Sequence, residues 1–413
     1  MKVWHPYTQE ATELPPIEID RGEGAYLYTR DGRRLLDAIS SWWVNLHGHA
    51  HPLIAGAIAA QAGKLEQVIF AGFTHQPAEE LAERLGRILP PALNRIFYSD
   101  NGSTAVEVAL KIAVQYWHNQ GRTDKCRIVA LERAYHGDTI GAMSVSADSP
   151  FTAAFNALRI PVLRVRDAGD LERTLAEQKD KVAAMIVEPL IQDAGGMITH
   201  SVEFLRRCCD LCAAHDVLFI ADEVFTGFGR TGRMFACEHA GIIPDLMCLS
   251  KGLTGGFLPL AATICRDEIY RAFHSSDRTR AFFHGHSYSG NPVGCAAAVA
   301  NLKIFESEPV FQRIAAIESI HRERLAEFRG HPAVVDVRML GTIAALELRA
   351  ADAGYLSNIR ERLYAFFLEQ GILLRPLGNV IYTVPPYVVA PGDLHYMYDV
   401  IMKALSMVEG QIF

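Results

Sequence analysis

The sequence lacks long hydrophobic runs and any excess of positive charge, and each shortage excludes a class of protein. Apolar stretches such as 182–187 fall far short of the ~20 residues that a membrane-spanning helix needs. The 40 Lys and Arg residues are outnumbered by 47 Asp and Glu residues, which gives a net charge of −7 and no basic face for phosphates. We therefore expect a protein that neither spans a bilayer nor binds nucleic acid.

Cysteine is also scarce, with eight residues in a chain of 413. That density is too low for a disulfide framework, and several cysteines lie inside apolar runs, as Cys248 does. No apolar segment of a secretory signal follows Met1. We expect reduced, mostly buried thiols and a cytoplasmic location.

The pattern along the chain changes twice. In the middle part, helical patterns alternate with short apolar runs at 95–98, 128–131, 184–187, 217–220 and 246–249. Such alternation is typical of a mostly parallel sheet flanked by helices. Beyond residue 305 follow a charged helix at 313–328 and strand-like runs at 334–337, 342–348 and 380–384. The pattern predicts an N-terminal arm at 1–50, a large α/β domain at 51–304 and a C-terminal α+β domain at 305–413, with arm and C-terminal segment sharing one lobe.

Three patterns imitate other kinds of site. The G-x-G-x-x-G run at 227–232 has no strand directly before it and no clear helix after it, so we interpret it as a glycine-rich loop rather than a nicotinamide site. The histidines at 47–51 and 284–286 do not follow a zinc spacing. A single C-x-x-C at 209–212 in a helical stretch favours a packed helix face. We predict no metal site.

The segment from Ser99 to Lys111 has the form of a phosphate-binding loop that opens a helix. Gly102 permits close approach of the backbone, and the hydroxyls of Ser103 and Thr104 can cap the helix. The free N–H groups and the positive end of the helix dipole favour a dianion. An ordinary helix N-cap is the alternative.

An apolar run at 217–221 ends in two carboxylates, Asp222 and Glu223. A buried carboxylate stays ionised when a cation compensates it, and a pyridinium nitrogen paired with Asp222 would be such a cation. Strand alternation places Val224 on the same face as Asp222, so we expect Val224 against the ring. A salt-bridged acidic pair at the end of a strand is the alternative.

The apolar run at 246–249 leads to Lys251, and glycines follow. A partly desolvated amine holds its charge less readily, which frees the neutral nucleophile for Schiff-base chemistry. Lys251 is therefore the first candidate for a catalytic group, with an exposed loop lysine as the alternative. Tyr135 follows the run at 128–131, where its ring could cover a cofactor or pack in the core.

Six motifs together resemble the class-III aminotransferases of pyridoxal-phosphate fold type I, over nearly the whole chain. They are Asp-Asn-Gly-Ser-Thr-Ala at 100–105, Tyr-His-Gly at 135–137, Val-Glu-Pro at 187–189, Ile-Ala-Asp-Glu-Val at 220–224, Ser-Lys-Gly at 250–252 and Gly-Asn-Pro at 290–292. The resemblance implies pyridoxal 5'-phosphate as the cofactor, a ping-pong transamination and a homodimer with its site between subunits.

The resemblance also implies roles for single residues. Lys251 would bind the cofactor covalently and move protons, and Asp222 would pair with the nitrogen of the cofactor ring. Glu188 would support the side of the cofactor site on which Asp222 lies. The implied cofactor-binding residues are Gly102, Ser103, Tyr135, Glu188, Asp222, Val224, Lys251 and Ser287, the last of these reaching the phosphate of the neighbouring subunit.

Motifs at 4–8, 40–49 and 375–387 are similar to those of family members that aminate 8-amino-7-oxononanoate in biotin synthesis, mostly with S-adenosylmethionine as the donor and in some members lysine. A long apolar substrate that ends in a carboxylate fits an aromatic channel with a terminal arginine, and aromatic faces attract a sulfonium. A buried tryptophan pair and a surface ion pair of the arginine are the alternatives. The implied substrate-binding residues are Tyr7, Trp42, Trp43, Tyr135, Lys251, Gly285 and Arg375, and Tyr7 also counts among the catalytic ones.

The chain departs from the family pattern at two places. His286 and Ser287 stand where the family usually has Pro-Thr, and Leu377 stands where an aromatic residue is expected. Three other functions stay open at this point. The chain could be another class-III aminotransferase of ω-amino-acid or ornithine type, an aminomutase on the same fold, or a non-catalytic binding protein.

Overall fold

The computed structural model describes residues 3–13, 15–350 and 359–409, with side chains to residue 406. The strands are β1 Ile19–Glu23, β2 Tyr26–Thr29, β3 Arg34–Asp37, β4 Leu93–Ser99, β5 Arg127–Leu131, β6 Val162–Val165, β7 Val182–Val187, β8 Ile191–Gln192, β9 Ile198–Thr199, β10 Leu218–Asp222, β11 Leu246–Leu249, β12 Ala261–Arg266, β13 Val334–Leu340, β14 Ile343–Leu348, β15 Ile372–Leu373 and β16 Val380–Thr383.

The helices lie between these strands and at the C-terminal end. They are α1 Ser40–Trp43, α2 Pro52–Ala62, α3 Gln76–Ile88, α4 Gly102–Asn119, α5 Ile140–Val145, α6 Pro150–Ala153, α7 Ala168–Gln178, α8 Val202–Ala214, α9 Cys237–Ala240, α10 Asp267–Arg271, α11 Pro292–Ser307, α12 Val310–Leu325, α13 Ile359–Glu369 and α14 Pro391–Glu409. Among the described residues, no helix is both long and apolar enough to cross a membrane.

The centre of the large domain is a seven-stranded sheet in the order β4-β12-β11-β10-β7-β5-β6. Strands β6, β5, β7, β10 and β11 are parallel, and β12 is antiparallel to both of its neighbours. All six residues of β7 are buried, because helices cover both faces of the sheet and the strand is apolar throughout. The predicted mostly parallel sheet is confirmed.

Two antiparallel pairings in succession restore the strand direction, so β4 runs parallel to β11 across β12. The carboxyl ends of β4, β5, β7, β10 and β11 therefore meet at one edge of the sheet. Open α/β sheets bind their ligands outside this edge. Every predicted cofactor residue except Ser287 ends or follows one of these five strands.

The N-terminal arm and the C-terminal segment share a sheet. Strand β15 pairs in parallel with β3, with Ile372 opposite Leu36 and Leu373 opposite Asp37. A second, antiparallel sheet of β13, β14 and β16 and the helices α12 to α14 complete the smaller α+β lobe. The boundaries near residues 50 and 304 stay a prediction, and residues 351–358 and 410–413 of the predicted C-terminal domain lie outside the described residues.

The glycine-rich segment at 227–232 forms turns after β10 and carries an arginine that joins three parts of the chain. Arg230 is 1% exposed, and it donates to the carbonyl oxygens of Pro385 at 2.9 Å, Asn45 at 2.9 Å and Trp43 at 3.2 Å. These bonds fix the arm and the C-terminal segment against the large domain. Trp43 is thereby placed beside the carboxyl edge of the sheet.

All eight cysteines are free thiols, and six of them are buried. The two of the C-x-x-C pattern lie on α8, where Cys212 is fully buried and Cys209 is half-buried. Burial raises the pKa of the Cys209 thiol to about 11. The prediction of a packed helix face is therefore confirmed.

Candidate active site

The loops at the carboxyl edge of the sheet enclose a cavity of about 270 Å³. The cavity brings together most of the residues predicted to bind a cofactor. These are Gly102, Ser103, Tyr135, Glu188, Asp222, Val224 and Lys251.

One end of the cavity is the N-terminus of α4. The side chain of Asn101 accepts a hydrogen bond from the Thr104 N–H at 3.1 Å and so caps the helix. The first N–H groups of a helix have no intrahelical partner, so those of Gly102 and Ser103 remain available to an anion. A Cβ at Gly102 would lie 2.7 Å from Val224 Cγ1, and glycine is therefore needed for this close approach.

Another wall of the cavity carries the carboxylate of Asp222, the last residue of β10. Its Oδ2 lies 2.6 Å from Nδ1 of His136, whose side chain is buried and whose Nε2 has no partner among the described residues. Within that part of the chain, Asp222 has no ion pair with a lysine or arginine. A buried carboxylate in this position is suited to a cationic ligand group.

The predicted strand alternation of Asp222 and Val224 is wrong. Strand β10 ends at Asp222, and Val224 lies in a turn in which the Gly227 N–H donates to the carbonyl of Glu223. Asp222 Oδ1 accepts the Val224 N–H at 3.1 Å, which folds the turn back toward the cavity. Both side chains still line the cavity, but a carboxylate that caps a turn brings them together.

Glu223, the second carboxylate of the motif, has a different environment. Its side chain is buried and accepts hydrogen bonds from the Thr226 hydroxyl at 2.5 Å and from the N–H groups of Ala236 and Cys237 at 3.0 and 2.8 Å. These bonds join β10 to the start of α9. Glu223 therefore stabilises the loop and does not line the cavity.

Lys251 follows β11 and extends into the same cavity with a half-buried side chain. Its backbone adopts a φ of 41°, a strained conformation for a residue other than glycine. Nζ lies 3.2 Å from Asp193 Oδ2 and 4.5 and 5.3 Å from the ring centroids of Trp43 and Phe225. The amine is thus held inside the site and is not an exposed loop lysine.

Glu188 directly follows β7, lines the cavity and holds two loops. Its Oε2 accepts the N–H of Tyr135, and its Oε1 accepts the N–H of Asp193, each at 2.9 Å. Burial, and next the charge of Asp193, raise the pKa of Glu188 well above its usual range. Its direct contacts are with the loops that carry Tyr135 and Asp193. The expected support of Asp222 by Glu188 stays a prediction.

Two tyrosines and an aspartate connect the cavity to the N-terminal arm. Tyr135 donates from its hydroxyl to Asp138 Oδ2 at 3.0 Å, and Tyr7 donates to the same oxygen. The two phenol oxygens are 3.4 Å apart. Burial, followed by the hydrogen bond with Tyr7, raises the pKa of Tyr135, so this group stays a neutral phenol.

Trp42 and Arg375 continue this path away from Lys251. The ring centroids of Trp42 and Tyr7 are 5.6 Å apart, and the Arg375 guanidinium lies 5.6 Å from the centroid of Trp42. Arg375 also donates to the Tyr7 carbonyl at 3.4 Å. Both Trp42 and Arg375 line a cavity of about 850 Å³ between the arm and α13.

Trp43, unlike Trp42, is buried and lies on the side of Lys251. Its Nε1 donates to the Tyr382 hydroxyl at 3.1 Å, and its ring lies 4.8 Å from that of Phe225. The predicted tryptophan pair is therefore divided between two environments, with Trp42 near Arg375 and Trp43 near Lys251. Leu377 packs against the apolar cluster that contains Trp43.

The structure does not bring Gly285 and Ser287 to the cavity of their own chain. Both are exposed on the segment after the 3₁₀ turn at 278–280, where the Ser287 carbonyl accepts from Gln67 Nε2 at 2.6 Å. Seven lining residues were not among the predicted ones, and three of these, His136, Asp193 and Phe225, contact Asp222 or Lys251. The Tyr-His-Gly motif could have indicated His136, whereas no sequence pattern pointed to Asp193.

Comparison with known proteins places this site in a family. The protein-family model that is described as aminotransferase class-III matches residues 7–405 of this chain. The adenosylmethionine-8-amino-7-oxononanoate aminotransferase of Synechococcus elongatus is 48% identical, with 98% of each chain covered. The solved structure of the enzyme of that name from Methanocaldococcus jannaschii has a TM-score of 0.94 at 37% identity, covering 98% of this chain and 97% of the other.

A PLP-bound amine transaminase from an uncultivated Pseudomonas species gives a TM-score of 0.92 at 32% identity and covers 98% of this chain and 99% of its own. Fold and site thus define a pyridoxal-phosphate-dependent transaminase of fold type I. The family match covers most of the chain, and the chain belongs to the class-III aminotransferases. The predicted enzyme class, cofactor and fold class are confirmed.

The residues present fit pyridoxal phosphate. The N-terminus of α4, with Gly102 and Ser103, suits the phosphate. Asp222, which lacks a lysine or arginine partner among the described residues, suits the ring nitrogen, and the Lys251 amine shares the same cavity. These are the chemical groups that the anionic, aromatic aldehyde requires.

We predict that Glu188 makes the stability of the protein depend on pH. Its folded-state pKa lies above the ordinary value of 4.5, so ionisation favours the unfolded chain. The stability contributed by the protonated carboxyl is complete below pH ~4.5 and is lost as the pH rises through the raised pKa. Relative to Glu188→Gln, the wild type should lose about 1.4 kcal/mol of unfolding free energy for each unit by which the pKa is raised.

Thermal unfolding of the wild type and of Glu188→Gln, followed by circular dichroism from pH 4.5 to 8, measures how their difference in stability changes with pH. The exposed Glu177→Gln serves as the control and should give a curve parallel to that of the wild type. Parallel curves for Glu188→Gln and wild type would show that Glu188 ionises normally.

Proposed function

We propose that this enzyme aminates 8-amino-7-oxononanoate to 7,8-diaminononanoate, with S-adenosylmethionine as the amino donor, in biotin synthesis. The observation that carries the proposal is the path of contacts from the Lys251 cavity through Tyr135, Tyr7 and Trp42 to Arg375. An aromatic path that ends in a guanidinium matches a long apolar substrate with a terminal carboxylate. The names of the relatives at 48% and 37% identity support the same substrates.

Arg375 would bind the carboxylate of the ketoacid. Its guanidinium is half-buried beside Trp42, and its planar group can form two parallel hydrogen bonds with a carboxylate. The apolar chain of the substrate would lie along Trp42 and Tyr7. This arrangement would direct the ketone toward Lys251.

When bound, pyridoxal phosphate supplies the electron sink and carries the amino group between the two substrates. Gly102 and Ser103 would hold its phosphate, and Asp222 would keep a proton on its ring nitrogen. Val224 and Tyr135 would lie against the ring. The Nζ of Lys251 would remove a proton from the carbon that bears the donor amine and deliver a proton in each half of the reaction.

The charges around the site favour cationic donors. Asp193 and Asp222 line the cavity, and Asp138 lies at its edge beside Tyr7 and Tyr135. A carboxylate-rich wall attracts an ammonium or a sulfonium group. Electron-rich rings such as Trp42 add to the attraction for a sulfonium.

We also propose that two copies of the chain build each site. Ile69, Phe73, Phe283 and Tyr288 are each more than 60% exposed, an unusual amount of apolar surface for a monomer. They lie on two adjoining segments, because Gln67 donates to the Ser287 carbonyl and Asn291 donates to that of Glu66. A second copy that covers this surface would bring its Ser287 to the phosphate.

A cytoplasmic location is part of this proposal. The support is the state of the cysteines, which are all free thiols. Free thiols are typical of the reducing compartment, where a disulfide framework is rare.

We expect Arg375→Met to weaken the binding of the ketoacid. The variant keeps an apolar stem beside Trp42 but loses the charged hydrogen bonds, which are worth about 1.5–3 kcal/mol. The KM for 8-amino-7-oxononanoate should rise roughly ten- to a hundredfold. Steady-state assays with S-adenosylmethionine as the donor measure it, and the exposed Arg207→Met, on the far helix α8, is the matched control.

The same assays test the function itself. An unchanged KM in Arg375→Met would remove Arg375 from its role. Turnover of ω-amino acids or ornithine without amination of 8-amino-7-oxononanoate would assign the chain to another class-III activity. Movement of an amine within one substrate, with no second substrate consumed, would indicate an aminomutase.

The shared site predicts complementation between two inactive variants. Lys251→Ala lacks the reactive amine, and Ser287→Glu places a negative charge against the phosphate of the partner's site. Mixed dimers contain one site with both native residues, so subunit exchange should restore about a quarter of wild-type activity at equal mixing. Native mass spectrometry verifies the exchange, and mixed dimers without any recovered activity would contradict a shared site.

A further inference from the structure

The catalytic amine has a partner that the sequence motifs do not contain. Asp193 Oδ2 lies 3.2 Å from Lys251 Nζ, and the Asp193 side chain is 5% exposed. Asp193 stands between β8 and β9, in the loop that also follows Glu188. A buried carboxylate thus contacts the nitrogen through which the reaction proceeds.

The loop holds Asp193 in a fixed orientation. Its N–H donates to Glu188 Oε1 at 2.9 Å, and its carbonyl accepts the N–H groups of Gly196 at 3.2 Å and Met197 at 2.9 Å. The Ala194 N–H donates to its Oδ1, which leaves Oδ2 to the lysine. Arg338 secures the far side of the loop through the Gly196 carbonyl at 2.6 Å.

The other carboxylates of the cavity are engaged elsewhere. Both oxygens of Glu188 accept backbone N–H groups, and those of Asp222 face His136 and the Val224 N–H. The remaining titratable group of the cavity is Tyr135, whose hydroxyl bonds with Asp138. Among the described residues, Asp193 is therefore the carboxylate that contacts Lys251.

The remaining surroundings of the amine are apolar rings. The ring centroids of Trp43 and Phe225 lie 4.5 and 5.3 Å from Nζ, and aromatic faces attract a cation. A carboxylate at hydrogen-bond distance acts in the same direction, because an anion favours a protonated nitrogen. Asp193 offsets the cost of a charge at this position.

We propose that Asp193 is a further catalytic residue, whose carboxylate accepts a hydrogen bond from the Lys251 nitrogen and favours its protonated form. The inference rests on the proposed role of Lys251. Asp193 fixes where the nitrogen lies and retains the proton there until the lysine transfers it. Glu188 acts through Asp193 as a positioning residue, because it holds the Asp193 N–H.

The test is a pH titration of the cofactor absorption band in the purified holoenzyme without substrate. In Asp193→Asn, which keeps the shape but loses the charge, we expect the midpoint to fall by about one pH unit or more. Asp193→Glu restores the charge and should bring the midpoint back toward the wild-type value. Asp193→Ala serves as a second neutral variant and should shift in the same direction as Asp193→Asn.

The control is Asp245→Asn, which removes a partly buried aspartate that pairs with Arg266 outside this cavity. Its midpoint should equal that of the wild type. Neutral variants of Asp193 with a wild-type midpoint would overturn the proposal, as would equal shifts in Asp193→Glu and Asp193→Asn. Because no substrate is present, the result does not depend on which ketone the enzyme aminates, and the two proposals can fail separately.

Discussion

The site depends on charge compensation in one buried cavity, where the Lys251 amine lies with the carboxylates of Asp193 and Asp222. Each carboxylate is kept in place by backbone N–H groups, a histidine or the amine itself. Burial makes every uncompensated charge costly, so a cavity of this composition binds cationic groups strongly. A pyridinium nitrogen and the ammonium or sulfonium groups of the proposed substrates would meet this requirement.

The parallel direction of the strands is what assembles these groups. The five strands β4, β5, β7, β10 and β11 end at the same edge, and each contributes one loop to the cavity. The proposed substrate side comes from elsewhere in the chain, because Tyr7, Trp42 and Trp43 lie on the arm and Arg375 lies on the C-terminal segment. Arg230 fixes that lobe to the large domain through three buried carbonyls. One buried arginine thus links the position of Trp43 to that of Lys251.

Much of the fold could be predicted because buried parallel strands are continuous apolar runs, as in β7 and β11. Asp222 and Lys251 could be predicted because polar residues that end such runs lie at the ligand-binding edge. Asp193 could not, because its loop lies between two strands of two residues each and shows no periodicity. The position of Val224 was predicted for the wrong reason, since a turn capped by Asp222 sets it. The role proposed for Ser287 depends on a second chain, which no pattern within one sequence can place.

The central claim is that Lys251 is the amine that reacts with the cofactor in this cavity. Reduction of the holoenzyme with borohydride fixes pyridoxal phosphate covalently to the amine it occupies, and peptide mapping by mass spectrometry then identifies the residue. The account predicts one modified residue per chain, Lys251. A label on another lysine, such as the buried Lys125 that lies against Trp117, or a label spread over surface lysines would contradict it.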